Sequence, residues 1–177
     1  MIKITFALTE EDYLSFNKYY LANTPSGRRL LSKTRLMVPI MSLFVLILFL
    51  ILGARPSLLM AETVALTILS ILMVVFSKQF LWFSTKRNIR KIKKDGKLPF
   101  SPQGELLFEE DAIHEITPDS ECRTSYSRLE RIGITDEALY LYFGAIQAYI
   151  IPFSCLSDAS EKDRILAFLH KKVQLDF

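Results

Sequence analysis

Residues 36–83 read LMVPIMSLFVLILFLILGARPSLLMAETVALTILSILMVVFSKQFLWF, two apolar runs joined by Gly53-Ala54-Arg55-Pro56-Ser57. The first run, Leu36 to Ala54, carries no charged residue; the second, Ser57 to Ser77, carries one, Glu62. A helix that crosses a hydrocarbon core needs about 20 consecutive apolar residues. Two such runs with so short a link have to return on themselves. The stretch predicts a transmembrane hairpin, with helices at about 36–54 and 57–83.

The charges on either side predict its orientation. Six Lys and Arg lie in Met1–Arg35, only Arg55 in the turn, and eight in Lys78–Lys97. Lys and Arg of short loops collect on the cytoplasmic side. The expectation is a multi-pass protein of the cell membrane with both termini in the cytoplasm. No signal peptide is expected, because the opening residues alternate like a strand and the first apolar run comes too late and is too long for one. Residues 98–177 contain seven Lys and Arg against fourteen Asp and Glu, a net charge of −7. The basic character therefore belongs to the membrane flanks, and the domain that follows is acidic. Cys122 and Cys155 are isolated, with no CxxC and no His at ligand spacing; in a reducing compartment they read as small buried side chains, not a disulfide.

Four segments result: 1–35, a cytoplasmic strand and amphipathic helix; 36–83, the hairpin; 84–97, a basic juxtamembrane helix; and 98–177, a cytoplasmic folded domain. In the first, Ile2, Ile4, Phe6 and Leu8 alternate with Lys3, Thr5 and Ala7, the period of a half-buried strand. Thr9 then N-caps a helix whose first turn holds Glu10, Glu11 and Asp12 and which runs to about Ala22. Tyr13, Phe16 and Tyr20 share a face that either packs on the rest of the protein or lies on the inner leaflet, with Lys18, Arg28 and Arg29 toward anionic lipid. The run 23–27, Asn-Thr-Pro-Ser-Gly, stops it.

The first membrane helix, dominated by Leu, Ile, Val, Phe and Met, carries no ionisable group. In the second, Ala61 and Ala65 have the small-xxx-small spacing that lets helices approach closely. They are expected to pack the two helices together, with a homodimer as the other use of that stripe. Glu62 lies near the outer interface, within reach of water or Arg55. Phe80, Trp82 and Phe83 form an aromatic belt, and Lys86, Arg87, Arg90, Lys91, Lys93 and Lys94 follow in helix-compatible sequence up to Asp95-Gly96. These cations read as contacts to an anionic membrane surface and as the topology signal. They do not read as a nucleic-acid site, because no aromatic β platform accompanies them.

From Gly104 the pattern changes to short alternating runs with turn signals every 8 to 12 residues, the mark of antiparallel hairpins. A final helix, capped by Ser157 or Ser160, carries the stripe Ile165, Leu166, Leu169 and Val173. The predicted class is an α+β membrane protein: the hairpin plus a β-meander closed by a terminal helix, a pleckstrin-homology (PH)-like architecture to which Ile2–Leu8 can add a strand. The hairpin, the basic exit, the runs 108–113 (FEEDAI), 126–129 (YSRL), 139–142 (LYLY) and 150–153 (IIPF), and the capped last helix resemble, in that order, the YcxB-like family of bacterial membrane proteins. Two positions depart from it: Ala112 and Tyr126, where family members often have Gly and Trp. Ala112 makes a left-handed turn residue there unfavourable. The resemblance implies a cytoplasmic PH-like domain on a two-helix anchor and brings no catalytic or ligand residues.

No convergent catalytic set is legible. His114 and His170 stand apart from Cys, Ser and acid partners in any known motif, and the sequence contains no Walker loop, GxGxxG, GxSxG or HExxH. No enzyme activity, cofactor or metal is expected. A phosphoinositide site is not expected either, since the first hairpin holds Glu105, Glu109, Glu110, Asp111 and Glu115 where such a site needs Lys and Arg. Tyr140, Tyr142 and Tyr149 are expected to share one sheet face and to contact a protein partner. The functional expectation is a membrane-anchored, non-catalytic interaction or regulatory module facing the cytoplasm, in contact with lipid and with an unidentified protein. The alternative is a small oligomer that forms a pore or supports a transporter.

Overall fold

The computed structural model describes residues 2–94, 98 and 100–173. The expected end of the basic helix at Asp95-Gly96 lies outside these residues. Two compact units form, Met1–Asn17 with Ile89–Phe177, and Lys18–Asn88.

The second unit is helical. Helix α1 (Glu10–Asn23) ends inside it, and α2 (Pro25–Ile51) begins one residue later. Thr24 makes that break: its side chain accepts a hydrogen bond from the Gly27 amide at 2.8 Å and donates one to the Tyr20 carbonyl at 2.8 Å. Pro25, which has no amide hydrogen to leave unpaired, occupies the first turn. Gly27 is required there, because a Cβ would overlap the Tyr20 carbonyl oxygen and lie 2.7 Å from Leu21 Cα. The membrane-length helix thus starts well before residue 36. It closes at Gly53, whose φ of 68° is the only positive φ among the described residues. After it, α3 (Pro56–Lys94) runs unbroken for 39 residues, about 58 Å at the α-helical rise.

Both α2 and α3 are long and apolar enough to cross a membrane. Only 6% and 0% of their most apolar windows are buried, which sets them apart from the core helices of a soluble protein. They meet through hydroxyls: Ser42 Oγ lies 3.2 Å from Ser70 Oγ, and Arg35 Nε donates to Ser77 Oγ at 3.0 Å. Ala61 and Ala65 are exposed, so the expectation that they pack the helices is corrected. At these positions the two helices are held by side-chain hydrogen bonds between Ser42 and Ser70 and between Arg35 and Ser77. Glu62 is half-buried and forms no ion pair with Arg55 among the described residues.

The other unit is the β-rich one. Strand β1 (Ile2–Ala7) pairs antiparallel with β2 (Gln103–Phe108), from Ile2 opposite Phe108 to Ala7 opposite Gln103. With β3 (Ala112–Ile116) and β4 (Glu121–Ser125) they form a four-stranded sheet in sequence order. A second sheet holds β5 (Arg131–Ile134), β6 (Ala138–Tyr142) and β7 (Ala148–Pro152). Alternation sorts the faces: Ile4 and Phe6 are buried while Lys3 and Thr5 are exposed. The core joins Ile4, Phe6, Leu106, Phe108 and Ile113 of the first sheet to Leu139, Leu141, Tyr149 and Ile151 of the second. Helix α4 (Ala159–Lys172) fills it with Ile165 and Leu169, spaced one turn apart, and Val173 follows.

The cap of α4 is Asp158 instead of a serine. Its carboxylate accepts from the Glu161 amide at 2.8 Å and from the Ser160 hydroxyl at 2.6 Å, while Glu161 Oε2 accepts from the Ser157 amide at 2.7 Å. This reciprocal box pairs two otherwise orphaned amides. The Ser160 hydroxyl first, then the Glu161 amide, hold the Asp158 carboxyl below its ordinary pKa. Thr9 and Asp12 form the same kind of box at the start of α1. The turn before Ala112 is closed by the Glu109 amide donating to the Ala112 carbonyl at 3.0 Å, with no left-handed residue, as an alanine at that position demands. Cys122 is exposed and Cys155 half-buried, both free thiols, which corrects the expectation that both are buried.

Candidate functional site

Strand β6 is buried on both faces. Leu139 and Leu141 point into the core, and Tyr140 and Tyr142 point the other way, against α1. Phe16 of α1 meets the Tyr140 ring edge-on at 5.4 Å between centroids and the Tyr142 ring at 5.8 Å. The Arg131 guanidinium stacks 4.4 Å from the Tyr142 ring centre. Tyr149, opposite Leu141 in register, belongs to the core side, where Thr124 Oγ1 lies 2.8 Å from its hydroxyl. Tyr140, Tyr142 and Tyr149 are 1%, 2% and 4% exposed. The expectation of one tyrosine-bearing contact face is therefore corrected: the three lie on two faces, and both are covered. Alternation alone cannot separate a covered tyrosine from a presented one, since the ring is apolar and its tip polar.

What the packing leaves open is a cleft beside this seam. It measures about 270 Å³, with Phe6, Tyr13, Phe16, Phe100, Phe143 and Ile146 among its walls. Tyr13 and Phe100 stack at 5.0 Å, and Phe143 and Tyr149 at 4.7 Å. Ile146 stands at its rim, 68% exposed. Glu115 is the one ionisable carboxyl in the wall, and burial raises its pKa above the ordinary glutamate value. Apolar and aromatic walls with a single acid suit an apolar side chain better than a charged small molecule. The sequence signal missed here is the pairing of Tyr13 and Phe16 with Phe100 and Phe143, residues far apart along the chain.

A polar cluster occupies the outer side of β3 and β4. His114 Nε2 lies 2.6 Å from Glu121 Oε1, and His114 Nδ1 3.8 Å from Glu109 Oε1. Arg123 bonds Glu109 at 2.7 Å and Asp111 at 3.0 Å. His114 therefore has acid partners that its sequence neighbourhood hides, because register brings residue 121 beside residue 114 across a hairpin. Three carboxylates share one guanidinium and one imidazole here, and among the described residues no group of three His, Cys, Asp or Glu could hold a metal ion. Nearby, the Tyr126 hydroxyl donates to the Glu109 carbonyl at 3.0 Å. Burial first, then the Glu109 and Asp111 carboxylates, hold that phenol well above its ordinary pKa.

The cations Lys86, Arg87, Arg90, Lys91, Lys93 and Lys94 all lie on the last turns of α3, exposed except for half-buried Lys86. Lys93 pairs with Glu10 of α1 at 2.9 Å. Ile89, between them in sequence, is 3% exposed, so this end of α3 is both a charged surface and part of the β-rich unit's packing.

No curated protein and no solved structure matches the chain. Residues 108–169, from the end of β2 to within α4, match the YcxB-like protein family. The runs that carry the resemblance in sequence, Phe108–Ile113, Tyr126–Leu129, Leu139–Tyr142 and Ile150–Phe153, all fall within these residues and supply β3, β6, β7 and the buried Tyr126. Over residues 108–169 the chain is similar to the YcxB-like protein family.

Proposed function

We propose that the chain is a two-span protein of the cytoplasmic membrane whose YcxB-like domain, PH-like in its meander and closing helix, faces the cytoplasm and works by contact, without catalysis. The observation that carries this reading is the continuity of α3, which runs from an apolar, membrane-length stretch directly into six cations and then to the YcxB-like domain. Cations at that position favour the cytoplasmic side, and the domain follows them. The aromatic cleft supports the contact role: its walls suit an apolar side chain of a protein partner, with Ile146 at the rim. The hydroxyls of Ser42 and Ser70 bond each other, which favours packing over a pore lining.

Orientation is tested on the full chain with Cys155→Ser, leaving exposed Cys122 as the one thiol. A membrane-impermeant maleimide should label it only after intact cells are permeabilised. Labelling of intact cells would put the domain outside and sink the reading.

A further inference from the structure

Within the helical unit, a crevice of about 430 Å³ is lined by Lys18 and Leu21 of α1, Leu31 of α2, and Lys78, Gln79 and Trp82 of α3. Lys78 and Trp82 stand one turn apart, so they share a face. Among the described residues, none of the four polar side chains has a hydrogen bond or ion pair within the chain. Glu62 is the one acid in Lys18–Asn88. It stands about 24 Å from Lys78 along α3 at the helical rise, well past the screening length of about 8 Å in physiological salt. Two ammonium groups, an indole N–H and an amide therefore line one crevice beside leucine walls, with no acid of Lys18–Asn88 nearer than Glu62.

We propose that this crevice binds one anionic phospholipid, its phosphate oxygens held by Lys18 and Lys78 and its glycerol end against Trp82, Leu21 and Leu31. A free anion would satisfy the lysines and leave the apolar walls wet; a lipid satisfies both. Lys78 directly follows Ser77, where the apolar run of α3 ends, so the crevice sits at the polar–apolar boundary. On the apolar side Val74, Val75 and Phe76 are exposed and open to acyl chains. None of the cations of the basic run at Lys86–Lys94 lines this crevice. The proposal rests on the reading that α2 and α3 cross a bilayer.

Trp82 is the chain's single tryptophan and reports on its own neighbourhood. The full chain is reconstituted in phosphatidylcholine vesicles containing a minor fraction of acyl-brominated phosphatidylglycerol or of acyl-brominated phosphatidylcholine, and Trp82 fluorescence is followed. Brominated phosphatidylglycerol should quench with a relative affinity roughly tenfold higher, because its headgroup keeps the net negative charge that the choline cation cancels in phosphatidylcholine. Lys18→Gln with Lys78→Gln should remove that preference, Lys18→Arg with Lys78→Arg should keep it, and Arg55→Gln should leave it unchanged. Molar salt should weaken the preference of the native chain, a readout that needs no substitution. Equal quenching by the two lipids, or a preference surviving in the double Gln variant or unchanged in molar salt, would overturn the proposal. Fluorescence restored by inorganic phosphate would assign the crevice to a soluble anion and also overturn it. Quenching by neither lipid would show that the helices are outside the bilayer, and the reading beneath it would fail too.

Discussion

Thr124 and Tyr149 tie β4 of one sheet to β7 of the other through a single hydrogen bond of 2.8 Å between hydroxyls. Thr124 is 2% exposed and Tyr149 4%, so solvent offers neither a ready substitute. Tyr149→Phe keeps the ring and leaves the threonine hydroxyl only the weak Cys122 Sγ contact at 3.9 Å, which should destabilise the domain by about 1–3 kcal/mol. Denaturant unfolding of the full chain in detergent, with near-ultraviolet circular dichroism as the probe, measures it; an unchanged midpoint would rule the bond out as a tie.

The same tyrosine predicts an alkaline weakness. Burial chiefly pushes its pKa up to about 12, with the Thr124 hydrogen bond acting in the opposite direction. An unfolded tyrosine ionises near pH 10. Between about pH 10 and 12 the unfolded chain gives up a proton that the folded chain keeps. Stability is fully present below that window and falls as pH rises through it. Tyr149→Phe should flatten this fall, although Tyr126, raised in the same direction, leaves part of it. Thermal melts at stepped alkaline pH read the difference in slope.

Glu115 acts with the same sign at acid pH. Burial in the cleft wall raises its folded pKa, so the protonated folded form is favoured. That contribution is present below the unfolded glutamate pKa and lost as pH rises through the folded one. Glu115→Gln should therefore raise the melting temperature at pH 7 relative to the native chain and leave it unchanged at pH 4. Equal shifts at the two pH values would point to packing instead of charge.

Phe16→Ala removes the ring that joins α1 to Tyr140 and Tyr142. Loss of a buried phenylalanine is worth about 3–5 kcal/mol where the site cannot collapse. Hydrogen exchange should speed up over the first turns of α1 and over β6, while the core around Ile165 and Leu169 stays slow. Uniform acceleration would mean that α1 is an integral part of one cooperative unit.

Gly27→Ala places a methyl against backbone, with the Tyr20 carbonyl and Leu21 Cα in its path. Neither is the movable end of a side chain, so the loss should reach about 3 kcal/mol. The neighbouring Ser26→Ala should be near neutral. Thermal unfolding of the two variants side by side provides the test, and equal stability would contradict the tight junction.

Much of this was legible in the residues, and the misses share a cause. The apolar runs, the meander and the terminal stripe of Ile165, Leu169 and Val173 are local patterns, readable by periodicity. The expected caps of α4, Ser157 or Ser160, stand one and two residues from the actual cap Asp158, because all three are competent caps and geometry selects among them. Ala61 and Ala65 have the right spacing yet lie exposed, since hydroxyl pairs at Ser42 and Ser70 decide the seam. Tyr140 and Tyr142 mark a real face, but what covers it, Phe16, is more than a hundred residues away in sequence. The aromatic cleft and the His114 cluster depend on the same long-range register.

Strand β1 finds its partner only when β2 exists, with Ile2 opposite Phe108. On the ribosome, both greasy passages must therefore be synthesised before the first six strand residues can be sheltered, and a fragment that starts at residue 98 would expose a bare β2 rim to its own copies. Fusing residues 2–23 to the later domain through a short flexible tether, with the passages left out, should restore that rim and give a water-soluble head.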